Sequence, residues 1–198
     1  MVSPSDLIRQ RQTLAAEAQI LRESFPVFLH YAFRSLNQGA AFLPNWHIDA
    51  LTEYLQAVEA GIIRRLIINM PPRYLKSLTV SVAWPAWLLG QNTARRMIVA
   101  SYAEKLSLKH SLDSRHLLAQ GWYQRAYPNV TIMAGQNEKH KFVTSAHGFR
   151  LATSVGGTLT GEGGDVLIVD DPINPLNAES TAAREKANRW FEHTFSSR

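Results

Sequence analysis

The amino-acid sequence predicts an α/β fold in which a mostly parallel β-sheet is flanked by helices and carries a β-hairpin insertion. Three short apolar runs indicate buried strands, at residues 65–70, 96–101 and 165–171. Segments with helical periodicity separate them, and such alternation is typical of parallel sheets covered by helices. The chain has 198 residues and is 45% hydrophobic, which suits one globular domain with a substantial core.

The N-terminal part, residues 1–44, is predicted to be a helical segment that precedes the main domain at 45–198. Its helix spans residues 5–23, with Ser5 as a possible cap and leucines at heptad spacing. Three heptad positions favour packing against the chain's own domain over a coiled coil. Residues 25–45 are mixed, with breaks at Gly39 and Pro44. A second helix is predicted at 47–60, ended by Gly61.

The remaining elements follow from periodicity and turn residues. A helix is predicted from Lys76, with Pro85 ending or kinking it, and another at 103–118. Two strands, 141–145 and 149–154, predict the hairpin. A stretch with five glycines at 156–164 leads into the third apolar run. The last helix is predicted at 178–195, with Asn177 as its cap.

Composition excludes several classes of protein. The chain has no cysteine, which excludes a disulfide scaffold and a cysteine-ligated zinc site. It has no apolar run near the roughly 20 residues of a membrane helix, and its first residues lack a signal peptide's apolar stretch. We therefore expect a cytosolic protein without a membrane partner. A formal net charge of +5 favours a polyanionic partner, although the basic residues are scattered.

A possible phosphate loop lies between the first apolar run and the helix that begins at Lys76. Phosphate loops have the pattern G-x-x-x-x-G-K-[ST] in that context. Lys76 and Ser77 stand where a lysine would neutralise phosphates and a hydroxyl would hold Mg²⁺. Met70 and Leu75 replace the two glycines. The alternative is an ordinary strand-to-helix connection with a solvated lysine.

Two adjacent carboxylates, Asp170 and Asp171, end the third apolar run. Ligands of open α/β sheets bind at the carboxyl ends of the strands. Asp170 would bind Mg²⁺ through water, and Asp171, on the opposite side of the strand, would polarise the attacking water. Glu162 and Glu179 are alternatives for the second role, because many enzymes of this class use Glu there. The other interpretation of the pair is a helix cap or turn.

Other candidate residues are interpreted as structural. His110 and His116 are six residues apart and share no helical face, so they predict no metal site. Trp84 and Trp87 are expected to lie in the core.

Several segments together resemble the ATPase part of bacteriophage terminase large subunits. They are Pro-Pro-Arg-Tyr-Leu-Lys-Ser at 71–77, Asn-Trp-His at 45–47, Arg96 to Ser101, the glycine-rich run at 156–161, and Asp-Asp-Pro at 170–172. The resemblance implies a RecA-like phosphate-loop ATPase at 45–198 that hydrolyses ATP with Mg²⁺ to drive viral DNA into a capsid.

The resemblance also implies a role for each matching residue. The metal would be held by Ser77 and Asp170, and catalysis would involve Asp171, Arg73 and Lys76. The nucleotide would contact the loop and the segment that meets the adenine, at Arg73, Tyr74, Leu75, Lys76, Ser77, Trp46 and His47.

The partners implied are double-stranded DNA, a terminase small subunit, a portal protein and further copies of the chain in a ring. The location implied is the host cytoplasm, transiently at the procapsid portal. An RNase H-like nuclease domain is expected beyond Arg198, so no nuclease activity is expected of this chain. Two alternatives stay open: another phosphate-loop enzyme, helicase-like or kinase-like, and a non-enzymatic nucleic-acid-binding module with a decayed loop.

Overall fold

The computed structural model describes residues 3–159 and 161–198, so Thr160 of the glycine-rich run lies outside the described residues. The α-helices are α1 (Pro4–Glu23), α2 (Phe25–Leu36), α3 (Trp46–Glu59), α4 (Trp84–Gln91), α5 (Glu104–Leu118), α6 (Gly121–Ala126) and α7 (Thr181–Trp190). Two π-helices, Leu78–Ala83 and Phe191–Phe195, adjoin α4 and α7, and Pro175–Asn177 forms a 3₁₀ turn. The strands are β1 (Arg96–Ser101), β2 (Ile132–Asn137), β3 (Lys141–Thr144), β4 (Phe149–Ser154) and β5 (Val166–Asp170).

The five strands form one mixed sheet in the order β2-β3-β4-β1-β5. Strand β1 is parallel to both β4 and β5, whereas β2–β3 and β3–β4 are antiparallel. The α/β class and the hairpin are confirmed, but a mostly parallel sheet is not observed. The hairpin is also no insertion, because β4 pairs directly with β1 and so joins the hairpin to the main sheet.

The predicted strand at 65–70 is wrong, since this segment has no regular secondary structure. It keeps the alternation of a strand: Leu66, Ile68 and Met70 pack against the core, whereas Ile67 is 86% exposed. An apolar run indicates burial, but a strand also needs a backbone partner, and pairing is a non-local property. Strand β5 forms one edge of the described sheet, so its predicted place in the sheet interior is also wrong.

The core has two parts of unequal size, one on each face of the sheet. Successive side chains of a strand point to opposite faces, and on β1 Met97 and Val99 join the larger cluster whereas Ile98 and Ala100 join the smaller one. The larger cluster is mostly helical. The smaller cluster consists of Ile98, Ala100, Val143, Phe149, Leu159, Trp190 and Phe195.

Helix α2, within a segment predicted to be mixed, supplies much of the larger cluster. Ser24 caps it, and the proline that follows lies in the first turn, where the missing N–H costs nothing. Its buried residues are Phe25, Phe28, Leu29, Ala32 and Phe33. Trp84 and Trp87 are buried in the same cluster, which confirms their predicted core position.

Most other predicted helices are confirmed, although two caps are wrong. Ser3 caps α1 instead of Ser5, and Ser180 caps α7 instead of Asn177. The helix predicted from Lys76 begins there, continues as the first π-helix and becomes α4 at Trp84, so Pro85 lies within the first turn of α4.

On the smaller core face, the Trp190 indole donates to the carbonyl of Gly157 at 3.2 Å. Across residues 3–159 and 161–198, none of the helices combines the length and hydrophobicity needed to cross a membrane.

Candidate functional site

Lys76 joins the two halves of the candidate site. It lies at the start of the helix that follows the loop, and its Nζ donates to Asp170 Oδ1 at 2.9 Å and to Asp171 Oδ1. Asp170 ends β5, so residues about 95 positions apart meet at the carboxyl end of a strand that runs parallel to β1. The juxtaposition of loop lysine and paired carboxylates is therefore present.

The side of the strand predicted for Asp171 is wrong. Asp171 follows β5 with a left-handed backbone, at φ +48°, which aspartate tolerates better than most residues. This turn brings its carboxylate to the same ammonium group as that of Asp170, which is 3% exposed, while Asp171 is half-exposed. One carboxylate is thus enclosed and the other faces solvent.

The electrostatics favour the charged form of both main partners. Burial opposes ionisation of Asp170, but hydrogen bonds from Lys76, Ser77 and Ser81 outweigh it and hold the pKa of that carboxyl below its ordinary value. Burial likewise acts against the charge of Lys76, but hydrogen bonds from its ammonium to Asp171 and Asp170 raise the pKa of Lys76. Lys76 and Asp170 therefore form a stable ion pair at neutral pH, with Ser77 beside it.

The loop keeps a backbone conformation that glycine favours, although it contains no glycine. Arg73 has φ +71° and Leu75, at the position of the motif's second glycine, has φ +65°. The left-handed conformation costs a residue with a side chain about 1–2 kcal/mol. The Leu75 side chain is half-buried and packs against the larger core cluster. The core thus holds this backbone in place.

Aromatic side chains stand next to the loop. His47, in the first turn of α3, meets Tyr74 edge to face, with ring centroids 5.4 Å apart, and Trp46 meets His47 at 6.1 Å. Trp46 is 78% exposed and Tyr74 49%. Trp46 and His47, which are predicted to contact adenine, therefore lie next to Tyr74 of the loop, and the rings of Trp46 and Tyr74 are accessible to solvent. Arg73 is exposed as well.

An open cleft of about 400 Å³ lies beside Lys76 and Asp171. It is lined by Ile68, Asn69, Met70, Pro71, Lys76 and Asp171. A larger cleft of about 610 Å³, bounded by α5 and β2, contains none of the predicted site residues.

Three buried polar residues behind Asp170 were missed by sequence reasoning. Ser81 Oγ donates to Asp170 Oδ2 at 2.9 Å, and His110 Nδ1 lies 4.0 Å from the same oxygen. Arg150, which is fully buried, donates from Nη2 to the Ser81 carbonyl at 2.9 Å. Burial lowers the pKa of His110, against the attraction of Asp170. A signal for Ser81 existed, since it follows Ser77 by four residues and so shares its helix face.

The two alternative acids are placed differently. Glu162 forms an ion pair with Lys141 at 2.6 Å, and Glu179 is exposed between the 3₁₀ turn and α7. The part of the chain that the structure describes contains no group of three or more His, Cys, Asp or Glu able to hold a metal.

The donor set at Asp170 fits Mg²⁺ in combination with phosphate. Mg²⁺ prefers oxygen ligands and is usually held by one or two carboxylates, waters and phosphate oxygens instead of an all-protein cage. Asp170 and Ser77 supply such oxygens, and Lys76 supplies a cation for phosphate.

In comparisons with known proteins, no family model and no curated protein matches this chain.

Proposed function

We propose that this chain is a phosphate-loop ATPase. The observation that supports this most is the meeting of Lys76 with Asp170 and Asp171 at the carboxyl end of β5. An ordinary strand-to-helix connection needs neither a lysine held by two carboxylates nor a left-handed backbone at the position of the motif's second glycine. Both features are expected of a loop shaped for phosphate.

The proposed roles follow from charge and exposure. Lys76 exchanges its two carboxylates for the phosphates of ATP, and the amides at the start of its helix face the same anion. Ser77 and Asp170 would hold Mg²⁺, which, when bound, would neutralise phosphate charge. Asp171, half-exposed and released from Lys76, accepts a proton from the attacking water. Arg73 stabilises the terminal phosphate, and the exposed rings of Trp46 and Tyr74, with His47 between them, contact the base.

The finer proposal is the ATPase of a terminase large subunit, with a RecA-like fold, which drives viral DNA into a capsid. It rests on the resemblance of the loop, the carboxylate pair and the Asn45-Trp46-His47 segment. It includes a small subunit, a portal protein and a ring of copies as partners, in the host cytoplasm and transiently at the procapsid portal. The net charge of +5 is compatible with a DNA partner.

The loop assignment is tested with Lys76→Ala. We expect loss of Mg²⁺-dependent ATP hydrolysis in a chain that still folds. Its free energy of unfolding should fall by about 1–3 kcal/mol, because the enclosed Asp170 carboxylate loses its cation. Phosphate release and urea denaturation measure the two effects. Lys105→Ala, at an exposed position on α5, is the matched control. Unchanged turnover in the Lys76 variant would refute the assignment.

The role of the second carboxylate is tested with Asp171→Asn. We expect nucleotide binding to persist, while hydrolysis falls by about 10²-fold or more through loss of the general base. Calorimetric titration with ATP and single-turnover hydrolysis separate the two quantities. Normal hydrolysis by this variant would show that another acid is the general base, and Glu162→Gln and Glu179→Gln would then be compared.

The alternative functions predict different responses to added substrates. Double-stranded DNA should stimulate hydrolysis by a packaging motor, and its binding should weaken steeply with salt because counterion release dominates phosphate contacts. A kinase-like enzyme would instead transfer phosphate to a small molecule. A non-enzymatic module with a decayed loop would bind DNA and give no heat on titration with ATP.

A further inference from the structure

The two oxygens of the Asp170 carboxylate have different surroundings. Oδ1 accepts from Lys76 on the side of the cleft, whereas Oδ2 accepts from Ser81 on the side of the core. The imidazole of His110 also borders Oδ2, at 4.0 Å, and is buried with it. The carboxylate is therefore fixed in rotation as well as in position.

We infer that Ser81 is a positioning residue that fixes the orientation of the Asp170 carboxylate, which would help to hold Mg²⁺, when Lys76 turns to the phosphates. This inference rests on the proposed function. Lys76 donates to Oδ1, so the hydrogen bond from the Ser81 hydroxyl to Oδ2 stays in place when Lys76 leaves. Without it, the carboxylate can turn about its Cβ–Cγ bond, so that neither oxygen keeps a fixed direction toward the cleft.

The surroundings of Ser81 restrict its own movement. It is fully buried in the first π-helix, and its carbonyl accepts from Arg150 at 2.9 Å, so its backbone is tied to β4. Ser77 and Ser81 lie four residues apart on one helix face, and both hydroxyls lower the pKa of Asp170. The two serines thus have separate tasks: Ser77 would help to hold the metal, and Ser81 keeps the Asp170 carboxylate in its orientation.

The test compares Ser81→Ala with Ser114→Ala, which removes a hydroxyl from another fully buried serine that does not contact Asp170. Three quantities are measured: ATP affinity in EDTA, the Mg²⁺ concentration that gives half-maximal hydrolysis, and kcat at saturating Mg²⁺. Loss of a hydrogen bond to a metal ligand typically weakens metal binding or activity 10–100-fold. For Ser81→Ala we expect unchanged ATP affinity in EDTA and an increase of about tenfold or more in the Mg²⁺ requirement. Ser81→Thr keeps the hydroxyl and should restore the parent's requirement.

The outcomes separate this inference from the proposed function. If the parent chain hydrolyses ATP and Ser81→Ala has an unchanged Mg²⁺ requirement, the positioning role is wrong and the function stands. If Ser114→Ala shifts the Mg²⁺ requirement equally, the effect comes from packing and the role is again wrong. If the parent chain neither binds nor hydrolyses ATP, the proposed function fails and the role falls with it.

Discussion

Leu75 has a backbone conformation that its residue type disfavours. At φ +65° a leucine is strained, and its half-buried side chain is what offsets that strain by packing on the core. The two contributions can be separated, because alanine and glycine both remove the packing but only glycine removes the strain.

We therefore expect Leu75→Gly to be more stable than Leu75→Ala, by about 1 kcal/mol, the cost of a left-handed conformation for a residue with a Cβ. Leu78, which begins the π-helix, is the control position. There, alanine should be more stable than glycine by about 0.5–1 kcal/mol, as in ordinary helices. Urea denaturation of the four variants measures both differences. The same order of stability at both positions would contradict the left-handed loop.

Individual site residues were predictable where the chemistry requires particular residue types at fixed positions in a short motif. Lys76, Ser77, Asp170 and Asp171 came from such patterns, and the structure places them around one ion pair. The contacts of Ser81, His110 and Arg150 depend on how helices cross the sheet. No local pattern encodes that crossing for His110 and Arg150, whereas the four-residue spacing of Ser81 from Ser77 is a local signal that went unused.

One long side chain ties the first π-helix to β4. Arg150 reaches from β4 to the carbonyl of Ser81, while its Nε and Nη1 have no hydrogen-bond partner among the described residues. A buried guanidinium with unmet donors is costly, so its net contribution to stability is small although its volume is large.

We expect Arg150→Met to change the free energy of unfolding by about 1 kcal/mol or less, because loss of one hydrogen bond is offset by removal of a buried charge. Arg150→Ala leaves a cavity at a fully buried position and should cost about 2–5 kcal/mol. Chemical denaturation distinguishes the two. Equal destabilisation by methionine and alanine would show that the hydrogen bond to Ser81, not volume, dominates.

Among the elements, those with clear periodicity were predicted and those that depend on distant partners were not. β1 and α5 were predicted within one or two residues. The segment 65–70 has a strand's alternation but no ladder, and β2 exists because β3 provides its partner. Helix α6 is only six residues long, too short for a periodic signal.

For the whole molecule, the sheet topology was the part least accessible to sequence. The α/β class followed from alternating elements, but β4 could pair with β1 only through a crossover that no local pattern specifies. The same pairing makes the two faces of the sheet unequal, because helices α1 to α6 gather on one face, whereas among the described residues the other face is covered by the C-terminal helices and the glycine-rich run.

Because the core cluster is smaller on the face covered by α7, we expect local unfolding to begin on that face. Local unfolding begins where few apolar contacts must be broken, so amides of α7 should exchange with deuterium at a lower opening free energy than those of α4 and β1. Because the Trp190 indole holds the Gly157 carbonyl, opening of α7 should release the glycine-rich run in the same event. Trp190→Ala should then accelerate exchange in 155–159 and 181–190 together and leave α4 unchanged, as measured by mass spectrometry of peptic fragments. Exchange of α7 at the rate of global unfolding would show instead that both faces open as one unit.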